Sequence, residues 1–320
     1  MFCSTSSSSR NELLGYIVKR LILVIPVFLG VSLAVFIIEA ITPGDPVLVR
    51  LGFAPHVTGA QIAAIRAELG LDQPIYIQYL SYLNLLIHGN LGNDIRSNIP
   101  VIQEIAQTFP RTLYLSITSM LFALAIGIPI GIYSAMKQYS IFDRISTIAS
   151  LTAASIPNFW LAIVLILIFS YWLRWLPSFG STSFANLILP SIAEGASVAA
   201  VILRFTRSSM LEVIRQDFVR TARSKGLKER VVIYRHALKN ALIPIVTVIG
   251  LSFGFLLSGA FFIEYVFAYP GIGRLAVDAI QQKNFPVVQG TVLVISISFV
   301  LLNLFVDVIY VYIDPRVRIQ

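Results

Sequence analysis

Long apolar segments that contain no charged side chain recur along this chain, and they limit what it can fold into. A helix needs roughly 20 mostly apolar residues to cross the hydrocarbon core of a bilayer. Five segments meet this condition clearly: Leu21 to Ile38, Thr112 to Met136, Ile145 to Leu173, Asn240 to Ile263 and Asn284 to Val306. Because 57% of the residues are hydrophobic and 12% are charged, the composition excludes an ordinary soluble domain and predicts an all-α membrane protein.

The number of spans depends on a weaker sixth segment, Leu187 to Thr206, which Glu194 and Arg204 interrupt. If this segment crosses the membrane and the amino terminus is cytoplasmic, seventeen of the 24 Lys and Arg residues lie on the inner side, as the positive-inside rule requires. With five spans, the basic loop after Arg204 and the terminal Arg316 and Arg318 would lie on opposite sides. We therefore predict six transmembrane helices with both termini cytoplasmic.

These spans divide the chain into parts. The Ser-rich stretch Ser4 to Ser9 is predicted to be disordered. The third span is longer than one crossing and contains Pro157, so we expect a kinked or broken helix there. The predicted parts are an amino-terminal cytoplasmic segment 1–17, a first transmembrane helix 18–41, an external loop 42–111, and a core 112–320 that includes an inner loop 207–239.

The external loop is long enough to form helices of its own. Thr58 and Gln61 match a capping box, and Gly70 can end the helix that they begin. Pro74 suits the first turn of a second helix, and a third short helix is predicted to begin at Pro100. The sequence therefore predicts a helical insertion between the first and second spans.

The inner loop 207–239 is strongly basic and has a helical pattern. Asp217 can cap a short helix, Phe218 to Lys225 can form it, and Gly226 can end it. A second segment, Lys228 to Lys239, leads into the fifth span. Such an element can dock in a groove of another protein, or it can lie as a basic collar on anionic lipid. Composition alone leaves both interpretations open.

Small residues recur at four-residue spacing in two spans. In lipid, helices associate through close packing of such residues. This pattern favours helix contacts, with pore lining as the alternative, at Gly127 and Gly131 in the second span and at Gly250, Gly254 and Ser258 in the fifth.

Polar side chains inside spans are costly in lipid and indicate either bonds between helices or a function in a solute path or gate. Both interpretations stay open for the candidates Glu194, Arg204, Asn303 and Asp307.

Other classes of function find little support in the sequence. The net charge of +8 comes from loops beside the spans, so we predict no nucleic-acid partner and membrane lipids instead. His56, His88 and His236 are too far apart in the predicted topology for a metal site. Neither a catalytic triad nor a Gly-x-x-x-x-Gly-Lys-Ser/Thr loop for nucleotide phosphates is found. We predict a chain with no catalytic site and no cofactor of its own.

Several short motifs resemble the inner-membrane permeases of ABC importers for dipeptides, oligopeptides and nickel. That family carries Glu-Ala-Ala, three residues and then Gly in its inner loop; here Arg220-Thr221-Ala222 and Gly226 keep the Ala and Gly spacing, with Arg220 in place of Glu. The other matches are Pro43-Gly44-Asp45-Pro46, Leu69-Gly70-Leu71-Asp72-Gln73-Pro74, Ser155-Ile156-Pro157-Asn158-Phe159-Trp160, His236-Ala237-Leu238-Lys239-Asn240-Ala241, Tyr269-Pro270-Gly271-Ile272-Gly273-Arg274 and Asp314-Pro315-Arg316.

The resemblance implies a type I importer permease in a bacterial inner membrane, with its external helices in the periplasm. The implied partners are a second homologous permease, two ATPase subunits that bind ATP, and a soluble or lipid-anchored substrate-binding protein. The implied contact with the ATPase involves Arg220, Thr221, Ala222 and Gly226.

The implied solute is a dipeptide, an oligopeptide or a small solute such as a nickel complex. Two alternatives remain from the residues alone. One is an ion-coupled secondary transporter or channel that uses Glu194 and Asp307. The other is a membrane scaffold that uses the inner loop to recruit partners.

Overall fold

The computed structural model describes residues 6–42, 47, 51, 58–68, 70–181 and 183–313, with side chains for those residues from 22 onwards except 259, 307 and 309–313. Three quoted stretches lie wholly or partly outside the described residues: Pro43 to Pro46, Leu69, and Asp314 to Arg316. Over the described residues the fold consists of helices and connecting turns, without a β-strand. The predicted all-α class is confirmed.

The described helices are numbered in chain order. They are α1 (Ser6–Ile41), α2 (Gly59–Glu68), α3 (Ile75–Ile87), α4 (Val101–Met136), α5 (Ile141–Ser155), α6 (Asn158–Leu165), α7 (Ala185–Ile214), α8 (Asp217–Ser224), α9 (Leu238–Gly259), α10 (Phe261–Val266), α11 (Ile272–Gln281) and α12 (Phe285–Ile313). A π-helical segment, Ile166–Trp172, continues α6, and a short helix, Glu229–Val231, with a π-helical segment, Val232–Ala237, leads into α9.

Among the described helices, five are long and apolar enough to cross a membrane by themselves, and counting the bent pair α5 and α6 as one span gives six. The two halves of that pair meet at 102°. Pro157 causes the break: it forces Ile156 out of the helical region, to a ψ of 126°, and it stands at the N-cap of α6. The prediction of six spans, with the third broken at Pro157, is confirmed.

Two predicted boundaries were wrong. Helix α1 includes Ser6 to Ser9, so that stretch is not a disordered tail. The helix that begins after Pro100 does not stop; it continues as the 36-residue α4. The external end of α4 is held because Val101 and Ile105 are buried against Val287 of α12, and this packing carries the helix well beyond the hydrocarbon core.

The external helices follow their predicted signals. The Thr58 N–H donates to Gln61 Oε1 at 3.0 Å, and the Gln61 N–H donates to Thr58 Oγ1 at 3.4 Å, as a capping box requires. Helix α3 packs against the outer half of α1: Tyr79 and Tyr82 stand 5.2 Å and 6.3 Å from the ring of Phe36. The insertion therefore rests on the first span.

The centre of the bundle is the contact between α4 and α7, the most extensive between helices in the described chain. The two helices can approach closely because glycines, which have no side chain, lie at the contact. A Cβ placed at Gly127 would lie 2.9 Å from Ala199 O, and one at Gly131 would lie 2.7 Å from Thr206 Cβ. Helix α7 has a glycine of the same kind: a Cβ placed at Gly195 would lie 2.6 Å from Ser119 O. Helix α7 is the least hydrophobic of the straight spans and the most buried.

A second close contact joins α9 and α12. A Cβ at Gly250 would overlap the side chain of Val306, at 2.1 Å, and one at Gly254 would lie 2.9 Å from Phe299. Helix α1 packs on the other side of α12. The order of packing is therefore α4 and α7 in the centre, α9 beside α7, then α12, and α1 at the edge.

At the inner end of the bundle, an ion pair ties the turn between α4 and α5 to α7. Arg207 donates from Nε to Asp143 Oδ1 at 2.6 Å and from a terminal nitrogen to Oδ2 at 2.8 Å. Asp143 also accepts from the Tyr139 N–H at 2.9 Å and from the Ser134 hydroxyl. Because the Asp143 side chain is 4% exposed, this bidentate pair is shielded from water.

We expect Gly131→Leu to lower the free energy of unfolding by roughly 1–3 kcal/mol, because the added side chain must push α4 away from α7. Gly30→Leu is the matched control: a Cβ at Gly30 meets nothing within 4 Å, so its effect should stay within about 0.5 kcal/mol. Unfolding in mixed detergent micelles, followed by circular dichroism, measures both. Equal losses in the two variants would contradict the packing assignment.

A second prediction concerns the inner ion pair. In a double-mutant cycle of Asp143→Asn and Arg207→Gln, the coupling energy should fall between about 0.5 and 3 kcal/mol. The control is the cycle of Asp217→Asn and Arg220→Gln, whose groups are 3.7 Å apart and 97% and 72% exposed; its coupling should be about 0–1 kcal/mol, the range for exposed pairs. A coupling energy near zero between Asp143 and Arg207 would show that water solvates the two groups as well as they stabilise each other.

Candidate coupling surface and translocation path

The inner loop forms a short helix and a tight turn below the bundle. Gln216 takes the N-cap position of α8, and Asp217 is its first residue rather than its cap. The carboxylate is still favourable there because it faces the positive end of the helix. Gly226 has a φ of +74°, in the left-handed region that favours glycine, and its N–H donates to Arg223 O at 2.9 Å. Gly226 thus ends α8 as predicted.

Helix α8 has one buried face. Val219 and Ala222 are 0% and 5% exposed and belong to a core cluster with Met210 of α7 and Ile233 beyond the turn. The Ala222 side chain therefore anchors the helix to its own chain, and its predicted part in the contact with a partner stays a prediction. Helix α8 packs chiefly on the π-helical segment Val232–Ala237.

The opposite face of α8 and the turn after it are open to solvent. Arg220, Thr221 and Gly226 are all exposed there, and so are large apolar side chains: Phe218 at 39%, Leu227 at 40% and Tyr234 at 53%. Arg223 and Glu229 pair across the turn at 2.7 Å, which holds the two segments together. We name this exposed set, Phe218, Arg220, Thr221, Gly226, Leu227 and Tyr234, the inner surface.

The external end of the bundle is built around one buried carboxylate. Glu264 accepts from the Thr112 hydroxyl of α4 and, at 2.9 Å, from the Arg274 N–H in the first turn of α11. The Thr112 hydroxyl oxygen in turn accepts from the Ile272 N–H at 2.9 Å. Burial raises the pKa of the Glu264 carboxyl, and these donors act against that rise. The carboxylate completes the amino-terminal end of α11.

The turn Tyr269 to Arg274 is fixed by this network. A Cβ at Gly271 would overlap the Glu264 carboxylate, at 2.0 Å, so a larger residue there would have to displace that carboxylate from its donors. The Tyr269 hydroxyl donates to Arg111 O at 3.2 Å, and Arg274 donates to Ala268 O at 2.6 Å. The turn is thus locked to the start of α4. It makes a rigid external corner, and its glycines serve packing and not phosphate binding.

A cavity of about 470 Å³ lies between the broken third span, α7, α9 and α10. Its lining is aromatic and apolar, apart from Glu194, Asn158 and Ser258; the complete set is Pro157, Asn158, Phe159, Glu194, Phe255, Leu256, Ser258, Phe261 and Phe262. Glu194 is 2% exposed. Its Oε2 accepts from Ser119 Oγ at 2.8 Å, whereas Oε1 has no partner.

The other polar candidates are placed differently. Asn303 of α12 has a buried Oδ1 without a partner, but it does not line this cavity. Arg204 is exposed on the side of α7, and the Asp307 side chain lies outside the described residues. The Ser258 hydroxyl donates to Gly254 O at 3.1 Å within its own helix. The structure therefore brings Glu194 and Ser258 to one cavity and leaves Asn303 apart.

Sequence reasoning missed Asp143, Arg207, Glu264 and Thr112. Asp143 and Glu264 lie at the ends of apolar segments, where a charge normally indicates a loop. Only Asp143 carried a local signal, since Ser140 three residues earlier caps α5 by accepting from its N–H at 3.2 Å. In the part of the chain that the structure describes, no group of three His, Cys, Asp or Glu side chains could hold a metal ion.

Comparison with known proteins agrees with these features. Residues 127–319 match the family model described as the binding-protein-dependent transport system inner membrane component, and residues 13–116 match the model of the amino-terminal part of such membrane components. The glutathione transport system permease protein GsiC of Escherichia coli (strain K12) is 44% identical over 306 residues, which cover 96% of this chain and 99% of that protein. The same protein of Salmonella typhi has the same identity and coverage.

Among solved structures, the inward-facing MetNI methionine ABC transporter matches with a TM-score of 0.57 at 21% identity, over 67% of this chain and 97% of that chain. This likeness concerns the fold, which is that of type I ABC importer permeases. The two family models together cover most of the sequence. The chain belongs to the family of binding-protein-dependent transport system inner membrane components, the permease subunits of ABC importers.

Proposed function

We propose that this permease carries a peptide-class solute across the bacterial inner membrane, driven by ATP hydrolysis on separate subunits that dock on the inner surface. The observation that carries the coupling part is the geometry of α8. One face is anchored in the core at Val219 and Ala222, while the other is open and mixes aromatic, apolar and basic side chains. Such a mixture, with Arg and aromatic residues, is characteristic of protein interfaces.

The docked subunits would act on the bundle through the anchored face. Val219 and Ala222 contact the same cluster as Met210 at the inner end of α7 and Ile245 of α9. A push or pull on α8 therefore reaches two spans that also line the cavity at Glu194. We infer that Arg220, Thr221 and Gly226 lie in the interface, and that Ala222 transmits its movement. This replaces the basic-collar interpretation as the function of the loop.

The solute class is supported by two observations. The relatives that match over nearly the whole chain are named as glutathione permeases, and glutathione is a tripeptide. The cavity has a mostly apolar and aromatic lining with one carboxylate, which suits an organic solute with an amino group better than a metal ion with several polar ligands. Family membership removes support from the secondary transporter and scaffold alternatives.

The partners follow from the same proposal. A substrate-binding protein would deliver the solute at the external side, where the insertion α2 to α3 and the rigid corner at Tyr269 lie. A second, homologous permease would cover the open side of the cavity, since Phe159, Phe255 and Phe262 are 45%, 57% and 55% exposed in the single chain.

Gly226→Val should uncouple the importer. At a φ of +74° a β-branched residue costs about 1–2 kcal/mol, enough to displace the turn between α8 and the next segment. We expect uptake and solute-stimulated ATPase activity to fall at least about tenfold, equivalent to 1.4 kcal/mol. The assay is ATP-dependent peptide uptake by the complete importer in proteoliposomes.

The matched control for that variant is Gly70→Val. Gly70 has a similar φ of +68° and, like Gly226, open space where a Cβ would stand, but it lies in the external insertion. Its backbone penalty is the same, so only the location differs. If Gly226→Val transported normally, or if Gly70→Val were equally impaired, α8 and its turn would not be the coupling element.

Docking can be tested separately from transport. We expect Phe218→Ala combined with Tyr234→Ala to reduce the amount of ATPase subunit that copurifies with the permease from detergent, because apolar anchors leave the interface. Leu251→Ala with Phe305→Ala removes exposed apolar side chains, 58% and 62% exposed, from the membrane-spanning helices, and should leave copurification unchanged. Full retention by the first variant would argue for a lipid-bound loop.

A further inference from the structure

We propose that the cavity at Glu194 is a solute-binding site inside the membrane, and that Glu194 Oε1 receives a primary ammonium group of the solute. The inference rests on the proposed function and deepens it, since it names the part of a peptide that the permease itself recognises. It assigns to Glu194 a role in specificity, where the sequence left open both a bond between helices and a role in the solute path.

Glu194 has one carboxylate oxygen, Oε1, that is buried without a hydrogen-bond partner. A buried carboxylate loses its hydration and normally recovers it through donors from the protein. Glu194 is 2% exposed, yet Ser119 supplies its one recorded donor, on Oε2, and Oε1 remains without a partner. Because the residue lines a cavity of about 470 Å³, there is room beside it for the donor to come from a ligand.

Two other buried acids of the same chain, Glu264 and Asp143, have hydrogen-bond donors on both carboxylate oxygens. Glu264 is also fully buried, but Thr112 and the Arg274 N–H donate to its two oxygens, so it stabilises the external corner. Asp143 is satisfied by Arg207, Ser134 and Tyr139. Of these three buried acids, Glu194 alone retains an unused oxygen, and it alone faces a cavity. Glu104 Oε2 is also buried without a partner, but Glu104 does not line this cavity.

The lining of the cavity combines one carboxyl group with four phenylalanine rings. In its ionised form the Glu194 carboxylate accepts hydrogen bonds and donates none, so a ligand that brings N–H donors and a positive charge would stabilise that form. The rings of Phe159, Phe255, Phe261 and Phe262 surround the rest of the space. Aromatic faces attract cations and cover apolar groups. The cavity therefore suits an ammonium group on a partly apolar frame, as at the amino end of a peptide.

The depth of the cavity places it in the path across the bilayer. Glu194 lies nine residues after Ala185, where α7 begins, which is about 14 Å along the helix axis. The cavity also touches Pro157 and Asn158 at the break in the third span. The break in the helix and the buried acid both provide polar groups within the membrane. A solute in transit can bind these groups in place of the water that hydrated it.

The charge in the cavity is tested by the rates at which a cysteine in its wall reacts with charged reagents. In the complete importer, the single cysteine is removed by Cys3→Ser and a new one is placed in the cavity wall by Ser258→Cys. The new thiol is labelled with a cationic or an anionic methanethiosulfonate reagent, and each rate is divided by the rate of that reagent with a small free thiol. We expect a normalised preference of at least about fivefold for the cation, equivalent to roughly 1 kcal/mol.

Two variants separate the proposed role from a structural one. Glu194→Gln should abolish the cation preference, because it removes the charge and keeps the size. Ser119→Ala removes the donor to Oε2 and keeps the carboxylate, so the preference should remain. Equal rates for both reagents in the parent, or a preference that survives Glu194→Gln, would overturn the proposal.

Recognition of the ammonium group is tested with Ala-Ala and N-acetyl-Ala-Ala as protecting ligands. Ala-Ala should slow labelling at position 258, the acetylated peptide should not, and the difference should vanish in Glu194→Gln. Equal protection by the two peptides would overturn the assignment. ATP-dependent uptake of Ala-Ala and of glutathione by the same importer is measured in parallel. Loss of the labelling pattern with normal uptake refutes this site alone, whereas absence of uptake for both peptides refutes the proposed function.

Discussion

The close contact between α4 and α7 is the constraint on which the other contacts of the bundle depend. In lipid, the hydrophobic effect does not drive helices together, so the gain must come from dispersion and from polar bonds at short range. Gly127, Gly131 and Gly195 allow the two backbones to approach until a Cβ would overlap the facing helix. At this distance Ser119 can reach Glu194. The same contact therefore both stabilises the bundle and positions the acid of the cavity.

The two ends of the bundle are fixed by different devices. Inside, a bidentate ion pair between Asp143 and Arg207 holds the turn after α4 to α7. Outside, Glu264 organises a turn and the first residues of α11 around Thr112 at the start of α4. Between these two rigid ends lie the break at Pro157 and the cavity. A permease has to change shape at its centre, and there Glu194 keeps a carboxylate oxygen without a partner.

Helix α8 shows how far sequence reasoning reaches. Its position, its length and its end at Gly226 follow from charge pattern and glycine, which act within one turn of the chain. The roles of its two faces do not. The sequence did not show that Ala222 packs in the core or that Phe218 and Tyr234 are exposed. Which face a short helix presents depends on the helices above it, and these come from distant parts of the chain.

The sequence by itself determined the class, the six crossings, the break at Pro157, the capping of α2 and the end of α8 at Gly226. These features depend on hydrophobicity over about 20 residues, on proline and glycine, and on contacts within a few residues. Only the tertiary structure decided which buried acids are paired, that α4 continues from Val101, and that Glu194 faces a cavity. The reason is distance along the chain. Glu194 and Ser119 are 75 residues apart in sequence, and Glu264 and Thr112 are 152 apart, so no local pattern can show that they meet.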